Sequence, residues 1–428
     1  MEAVPSEFNL FEKPVFQNSI LEEYDEAIDP TSTLQEGSPI TFSIPAVSDL
    51  YRDLNNSMLH IKCKIANANG TNAQANVVGP VNLALHSLFA NVEMEVKEKL
   101  VTDPSQLYPY RAFFETLINC NKDVLKTRHY AEGWTKDTAG EVEETDPAGA
   151  NAGLTARATR FNQSTVVNLM GRLHLDLFHQ DKCIPGNVPI RIRLIPNNNR
   201  FLLKTAAPGQ NAQENYKVVI TSARLYIRTK KLSPQLVLAH QQMLQETNYV
   251  IHYTKVALKK YTIAQNSFTA NFNALYQGQL PDRVIVCLVR DDALTGSYQL
   301  NPFNFNHYNM NFISMTVNGD GFPKVPLQPN YAHGDYIREY MVMLAELGYD
   351  TGPHAMDLTA TEWTNGYHFV VFKLTPGPIG TIHSPARSGV ANLELKFAQG
   401  TPHNISMICM EQHDATMEID KFGNVILS

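Results

Sequence analysis

Leu59-His60-Ile61-Lys62-Cys63-Lys64-Ile65 alternates apolar and polar residues without a break. In an extended chain successive side chains point to opposite faces. Leu59, Ile61, Cys63 and Ile65 therefore share one face, and His60, Lys62 and Lys64 the other. This is the pattern of a strand with one buried and one wet side. The period of two recurs on both flanks. Ile40, Phe42 and Ile44 precede it. Val92, Met94 and Val96 follow, then Leu173, Leu175 and Leu177, then Ile190, Ile192 and Leu194, then Leu225 and Ile227. Turn sequences such as Pro185-Gly186-Asn187 and Pro196-Asn197-Asn198-Asn199 separate them. Strands of this kind with turns between them predict an antiparallel β-sandwich rather than a βαβ fold.

Several segments break the pattern. Tyr108–Asn119 predicts a short helix with Phe113, Phe114, Leu117 and Ile118 on one side. Residues 132–160 are rich in Gly, Ala, Thr and acids, among them Glu141, Glu143, Glu144 and Asp146, and predict a long mobile surface loop. Residues 1–36 carry Phe8, Leu10, Phe11, Val15, Phe16, Ile20 and Leu21, but acids and prolines interrupt them. They predict an extended N-terminal arm that gains more by docking on a partner than by folding alone. Ser233-Pro234 predicts a helix start, with Ser as cap and Pro at the first position. Leu236, Val237, His240, Met243 and Leu244 would form its apolar side. The expected organisation is an arm (1–36), a first domain (37–232), a linker helix (233–247) and a second domain (248–428).

The second half repeats the order of the first. Residues 284–289 are apolar throughout and predict a strand buried on both faces. Residues 312–317 predict a strand ending in the hairpin turn Asn318-Gly319-Asp320-Gly321. A helix over 335–347 stops at Gly348. Strands are predicted over 369–374, 393–397, 405–410 and 417–427. Set side by side, residues 82–100 resemble residues 303–321, with His86 opposite His307. Each stretch leads to a helix, a long loop and two strands (173–177 and 190–194; 369–374 and 393–397). The shared order implies two copies of one sandwich of about 200 residues, which suits two eight-stranded jelly rolls in tandem, a mainly all-β chain.

At 428 residues the chain has room for two domains. Its net charge of −7 argues against nucleic-acid binding as its main task, since phosphate-tracking surfaces are basic. Only 18% of residues are charged. The neutral polar surface this leaves is easily desolvated and suits burial against other subunits. The first residues lack the basic segment and apolar stretch of a signal peptide, and no run approaches about 18 apolar residues. Cys63, Cys120, Cys183, Cys287 and Cys409 are odd in number and several lie in strand patterns, so they read as reduced core residues from a reducing compartment. Four Asn-x-Ser/Thr sites, at Asn55, Asn69, Asn162 and Asn404, matter only along a secretory route.

One family shares several of these stretches. The block from Asp49 through Tyr51, Arg52, Asp53, Leu54, Leu59 and His60 to Lys64 resembles a segment of the hexon-type major capsid proteins of Polinton/Maverick elements and adintoviruses. So do Asn301-Pro302-Phe303-Asn304-Phe305-Asn306-His307-Tyr308-Asn309 and Leu327-Gln328-Pro329-Asn330. Gly366-Tyr367, residues 372–376, and the closing Glu418-Ile419-Asp420 with Asn424-Val425-Ile426 also match. Phe8-Asn9-Leu10-Phe11 looks like that family's opening motif. The resemblance runs from residue 8 to the end, apart from loops 126–165 and 350–365, and its most specific part is the Asn-Pro-Phe-Asn-Phe block. It implies a double jelly roll, a homotrimer of six rolls and near-hexagonal packing into an icosahedral shell. Implied partners are copies of the chain, neighbouring capsomers and a single jelly-roll penton protein. Implied location is the virion capsid, with synthesis in the host cytoplasm.

No motif for chemistry stands out. The sequence has no phosphate-binding Gly-x-x-x-x-Gly-Lys-Ser/Thr, no Gly-x-Ser-x-Gly, no His-Glu-x-x-His and no Cys-x-x-Cys. The His-x-His pair that holds metal in cupin jelly rolls is also missing. His174, His179 and Cys183 are the nearest approach to a metal set, but they read as a solvated strand face and a turn. Asp291-Asp292 beside Arg290 reads as a turn start. The expectation is therefore no catalytic, metal or cofactor site. Aromatic anchors dominate protein interfaces, so Phe8, Phe11, Tyr108, Tyr110, Phe303, Phe305 and Tyr308 are candidate subunit contacts. Packing within one roll is the competing reading for each. Two other functions remain open: a carbohydrate- or receptor-binding attachment protein, and a metal-dependent jelly-roll enzyme.

Overall fold

A computed structural model describes residues 16–206, 216–351, 356–376 and 385–427. Two antiparallel sheets, each with a path of four strands, form each half, and the short strands Ile184–Pro185 and Val425–Leu427 add a fifth to one sheet of each half. In the first half Ile20–Ile28, Tyr216–Leu232, Leu50–Asn67 and Val167–Gly171 lie side by side. The opposing sheet runs Ile40–Ile44, Ile190–Pro196, Phe89–Val96, Lys99–Leu100. In the second half the order is Tyr249–Ile263, Ile405–Ile419, Arg283–Arg290, Phe369–Lys373. Its partner sheet runs Thr269–Gln279, Ser388–Phe397, Met310–Val317, Asp320–Leu327. Numbered by chain order within each half, these eight strands pair 1-8-3-6 and 2-7-4-5, identically in both halves. That is the jelly-roll connection. The fold is a double jelly roll.

The alternation at Leu59–Ile65 is realised as read. Leu59, Ile61, Cys63 and Ile65 are fully buried, and the residues between them face outward. The apolar run of Arg283–Arg290 also has its physical reason. Ile285, Cys287 and Val289 join a continuous core that fills the first roll and the seam between the halves. Val284, Val286 and Leu288 join the separate core of the second roll. A sheet covered on both faces needs no polar side.

Three expectations are corrected. Residues 20–28 belong to a strand, although they were expected in the arm. The strand Ile20–Ile28 has little apolar alternation because it is an edge strand held by charge. Arg228 pairs with Asp25 at 2.6 Å and Glu23 at 3.0 Å, and Arg52 pairs with Glu26. Second, Met243, expected on the apolar side of the helix Pro234–Met243, is exposed, whereas Leu236, Val237 and His240 are half-buried.

Third, residues 132–160 strap the halves together instead of looping into solvent. Asn151 accepts hydrogen bonds from Gly153 and Leu154 and so caps the helix Ala152–Arg160. Arg157 is buried and bonded to Asp137 at 2.7 Å and to the Pro80 carbonyl at 3.0 Å. From the second half, Asn301 donates to the Val142 carbonyl at 2.8 Å and Tyr367 to that of Asp137 at 2.9 Å.

The hairpin turn between Met310–Val317 and Asp320–Leu327 has positive φ at Asn318 (52°) and Gly319 (93°), as the tight two-residue turn requires. A Cβ on Gly319 would meet nothing within 4 Å. Gly319→Ala is therefore expected to cost about 1–2 kcal/mol through backbone conformation alone, seen as a lower urea midpoint.

Candidate functional site

The seam between the two rolls is built around the helix Tyr108–Asn119, of which all residues but Asn119 are buried. Its Phe113 stacks on Phe303 at 4.7 Å, and its Phe114 meets Phe305 at 4.9 Å and Phe369 at 5.5 Å. Tyr110 lies edge-on to Phe303 at 5.6 Å. The Asn-Pro-Phe-Asn-Phe block therefore inserts its two rings from the second half into the helix of the first. Lys204, buried in the first half, donates to the Ser297 carbonyl at 2.7 Å. Burial pushes its amine down to about 7.

Tyr108, Tyr110, Phe303 and Phe305 are almost fully buried within the single chain. Within the chain, Tyr110, Phe303 and Phe305 pack across the seam, and Tyr108 packs against His86 of the first half. Tyr308, at φ 47°, lies edge-on to His403 at 5.5 Å within the second half. Phe8 and Phe11 lie outside the described residues.

Beside the aromatic seam lies a buried polar cluster that the sequence reading divided among a strand face, a helix and loops. Arg111 bonds Glu115 at 2.8 Å and Asp176 at 2.7 Å. Asp176 also accepts from the Val256 backbone at 3.2 Å, which ties the cluster to the second half. Glu115 Oε2 is 2.7 Å from His174 Nδ1 and 3.4 Å from His179 Nε2. Burial alone would raise the Glu115 carboxyl, but Arg111, with His179 and His174, holds it well below the usual carboxylate range.

A second carboxylate, Glu132, is 2.6 Å from His129 Nδ1 and 3.5 Å from His86 Nε2. His129 also meets Cys120 Sγ at 3.1 Å. Burial opposes a charge on His129, but its bonds to Cys120 and Glu132 hold it up to about 9. Burial, with His174 nearby, pushes His86 down to about 4. Two sets in this cluster bring three ligand atoms within 4.8 Å of one another: His86, Glu132 and His174, and Glu115, His174 and His179.

His174 and Asp176, expected on a wet strand face, are corrected to buried residues, since residues 173–175 are not a strand and Asp176–Phe178 forms a tight helical turn. The sixth strand of the first roll is Val167–Gly171 instead. Cys183 stands apart, beside Tyr51 and Lys230 in an apolar groove under the linker helix. His86, Glu115 and Glu132 were not singled out as potential ligands. The available signal was Arg111 and Glu115, spaced four apart in an otherwise apolar helix.

His307 occupies the repeat position of His86 but a different setting. Its ring stacks on Tyr331 at 3.8 Å, whose hydroxyl is 2.6 Å from His368 Nε2. Burial pushes His307 down to about 4 and His368 well below its ordinary value. Unfolded histidine takes a proton near pH 6.5. Their contribution to stability is thus present above that pH and is lost as pH falls toward the folded values. The melting temperature is expected to drop between pH 6.5 and 4, less steeply in His307→Gln.

No protein-family model matches the sequence. A curated Caenorhabditis elegans protein, described as uncharacterized protein F54H12.2, is 21% identical over 411 residues, 92% of this chain and 94% of that one. Among solved structures, a chain of the Sputnik virophage aligns with TM-score 0.63 and 11% identity, covering all of this chain and 92% of that one. The mavirus major capsid protein aligns with TM-score 0.57 and 11% identity over 100% and 95% of the two chains. The faustovirus major capsid protein gives 0.53 and 9% over 95% and 92%. The likeness spans both rolls and their connection, not one sandwich alone.

Proposed function

We propose that the chain is a major capsid protein with a structural, non-enzymatic role. Three copies form a pseudo-hexameric capsomer, and capsomers tile an icosahedral shell. The observation that carries this reading is the pair of rolls with identical strand order, joined at a seam whose core is continuous with that of the first roll. A rigid unit of two like rolls, repeated three times, gives six similar walls around an axis and closes a near-hexagonal tile. Full-length likeness to a Sputnik virophage chain and to the mavirus and faustovirus major capsid proteins supports it.

The resemblance at Asp49–Lys64 and at the Asn301–Asn309 block favours a capsid gene of the Polinton/Maverick or adintovirus kind. A full-length relative in a nematode agrees with such a gene residing in animal genomes. On this reading the partners are other copies of the chain and a single jelly-roll penton protein. The product belongs in the virion capsid after synthesis in the host cytoplasm. Native mass spectrometry of the purified chain tests the proposal. A species of three times the 48.0 kDa chain mass is expected; a monomer at all concentrations would contradict it.

A further inference from the structure

The cluster beside the seam contains a set of donors that shell formation does not require. His86 sits on the helical turn Ala84–Ser87, Glu132 ends the turn His129–Glu132, and His174 follows the strand Val167–Gly171. All three side chains are buried. His86 Nε2 has no hydrogen-bond partner although it is enclosed, and an orphaned buried polar atom is costly. Its nearest charged neighbour is Glu132 Oε2, 3.5 Å away. Two ligands of one tetrahedral zinc ion stand about 3.4 Å apart, given bonds of about 2.0–2.1 Å.

We propose that His86, Glu132 and His174 bind a divalent transition-metal ion of the zinc class.

Each ligand is oriented by a further bond, as metal-binding residues usually are. His86 Nδ1 is 3.0 Å from the Tyr108 hydroxyl, which also accepts from the His174 backbone at 3.2 Å. His174 Nδ1 is engaged by Glu115 at 2.7 Å, so the ion would take Nε2, whose contact with the Thr116 hydroxyl is long, at 3.5 Å. Glu132 is held by His129. Space for its carboxylate exists because residue 171 is glycine; a Cβ there would stand 2.3 Å from Glu132 Cγ. Two imidazoles and one carboxylate suit zinc better than the oxygen-seeking calcium or magnesium.

The alternative set, Glu115, His174 and His179, is less suited. Arg111 already neutralises Glu115, and the His179 side chain is 28% exposed. An ion on the first set would join three segments that no shared strand ladder connects, so its role is structural. The proposal stands independently of the capsid reading.

The test uses the full chain, stripped with chelator and titrated with Co²⁺ and then Zn²⁺. One Co²⁺ per chain is expected, with visible absorption bands that Zn²⁺ abolishes, and a higher melting temperature with Zn²⁺ than with chelator. Tyr108→Phe, which keeps the ring and removes only the hydroxyl, should weaken the affinity about tenfold or more. His86→Gln should abolish stoichiometric binding, and His179→Ala should retain it. A folded wild-type chain that takes up no equivalent of either metal overturns the proposal. So does an unchanged equivalent in His86→Gln, or loss of the ion in His179→Ala alone.

Discussion

Replacing Phe305 with alanine is expected to destabilise the chain by about 3–5 kcal/mol. Phe305 is fully buried and lies 4.9 Å from Phe114 and 5.5 Å from Phe113, both on the helix of the other half. Its backbone is fixed as well: its N–H donates to the Gly366 carbonyl, and its carbonyl accepts from His368, each at 3.0 Å. The neighbours therefore cannot collapse far into the space left behind, which puts the cost at the upper end for a lost ring. Because the lost contacts cross the seam, hydrogen exchange should rise first in Tyr108–Asn119. Calorimetry should show the two rolls beginning to unfold separately. The comparison is Phe268→Ala, which removes an exposed ring and should stay within about 0.5 kcal/mol. Equal urea midpoints for the two variants would mean that the seam does not couple the rolls.

Arg111→Met is expected to cost a similar amount, about 3–5 kcal/mol at pH 7. The guanidinium lies between Glu115 and Asp176, and all three groups are buried. Removing it strands two carboxylates away from water. The pH dependence separates this cause from lost packing. In the native protein Glu115 is held below its ordinary value, so its contribution is present above the unfolded carboxylate range and is lost as pH falls. In the variant those carboxylates can take up protons at higher pH. The gap between variant and native midpoints should then narrow from pH 7 to pH 4. A gap that stays constant would assign the loss to packing. Adding Glu115→Gln and Asp176→Asn to Arg111→Met should recover part of the stability, since no charge then remains unpaired.

The sequence made the strands legible where burial is one-sided, as at Leu59–Ile65, and where a sheet is covered on both faces, as at Arg283–Arg290. It concealed strands whose pairing rests on charge. Ile20–Ile28 carries Glu22, Glu23, Asp25 and Glu26, and its partners, the ladder with Tyr216–Leu232 and the cations Arg228, Lys231 and Arg52, lie far away in sequence. Residues 132–160 read as a loop because their order comes from long-range bonds, such as Asn301 to Val142, that no local period reveals. The repeat was visible as an order of elements, and the matching 1-8-3-6 and 2-7-4-5 pairing gives that order its meaning. Tyr110, Phe303 and Phe305 read from the sequence as candidate subunit contacts, and in the fold their rings meet across the seam of the same chain. The polar cluster stayed hidden for a different reason. His174 and Asp176 sit in an alternating stretch that imitates a wet strand face. Their partners Glu115, Glu132 and His86 lie tens of residues away in sequence.

Electron microscopy of the purified chain tests the central claim most directly. The account predicts compact trimers with a near-hexagonal outline, six rolls around a threefold axis, that assemble into closed shells or flat hexagonal sheets as concentration rises. Monodisperse single chains, each showing two rolls and forming no trimer or lattice under any condition tried, would contradict it.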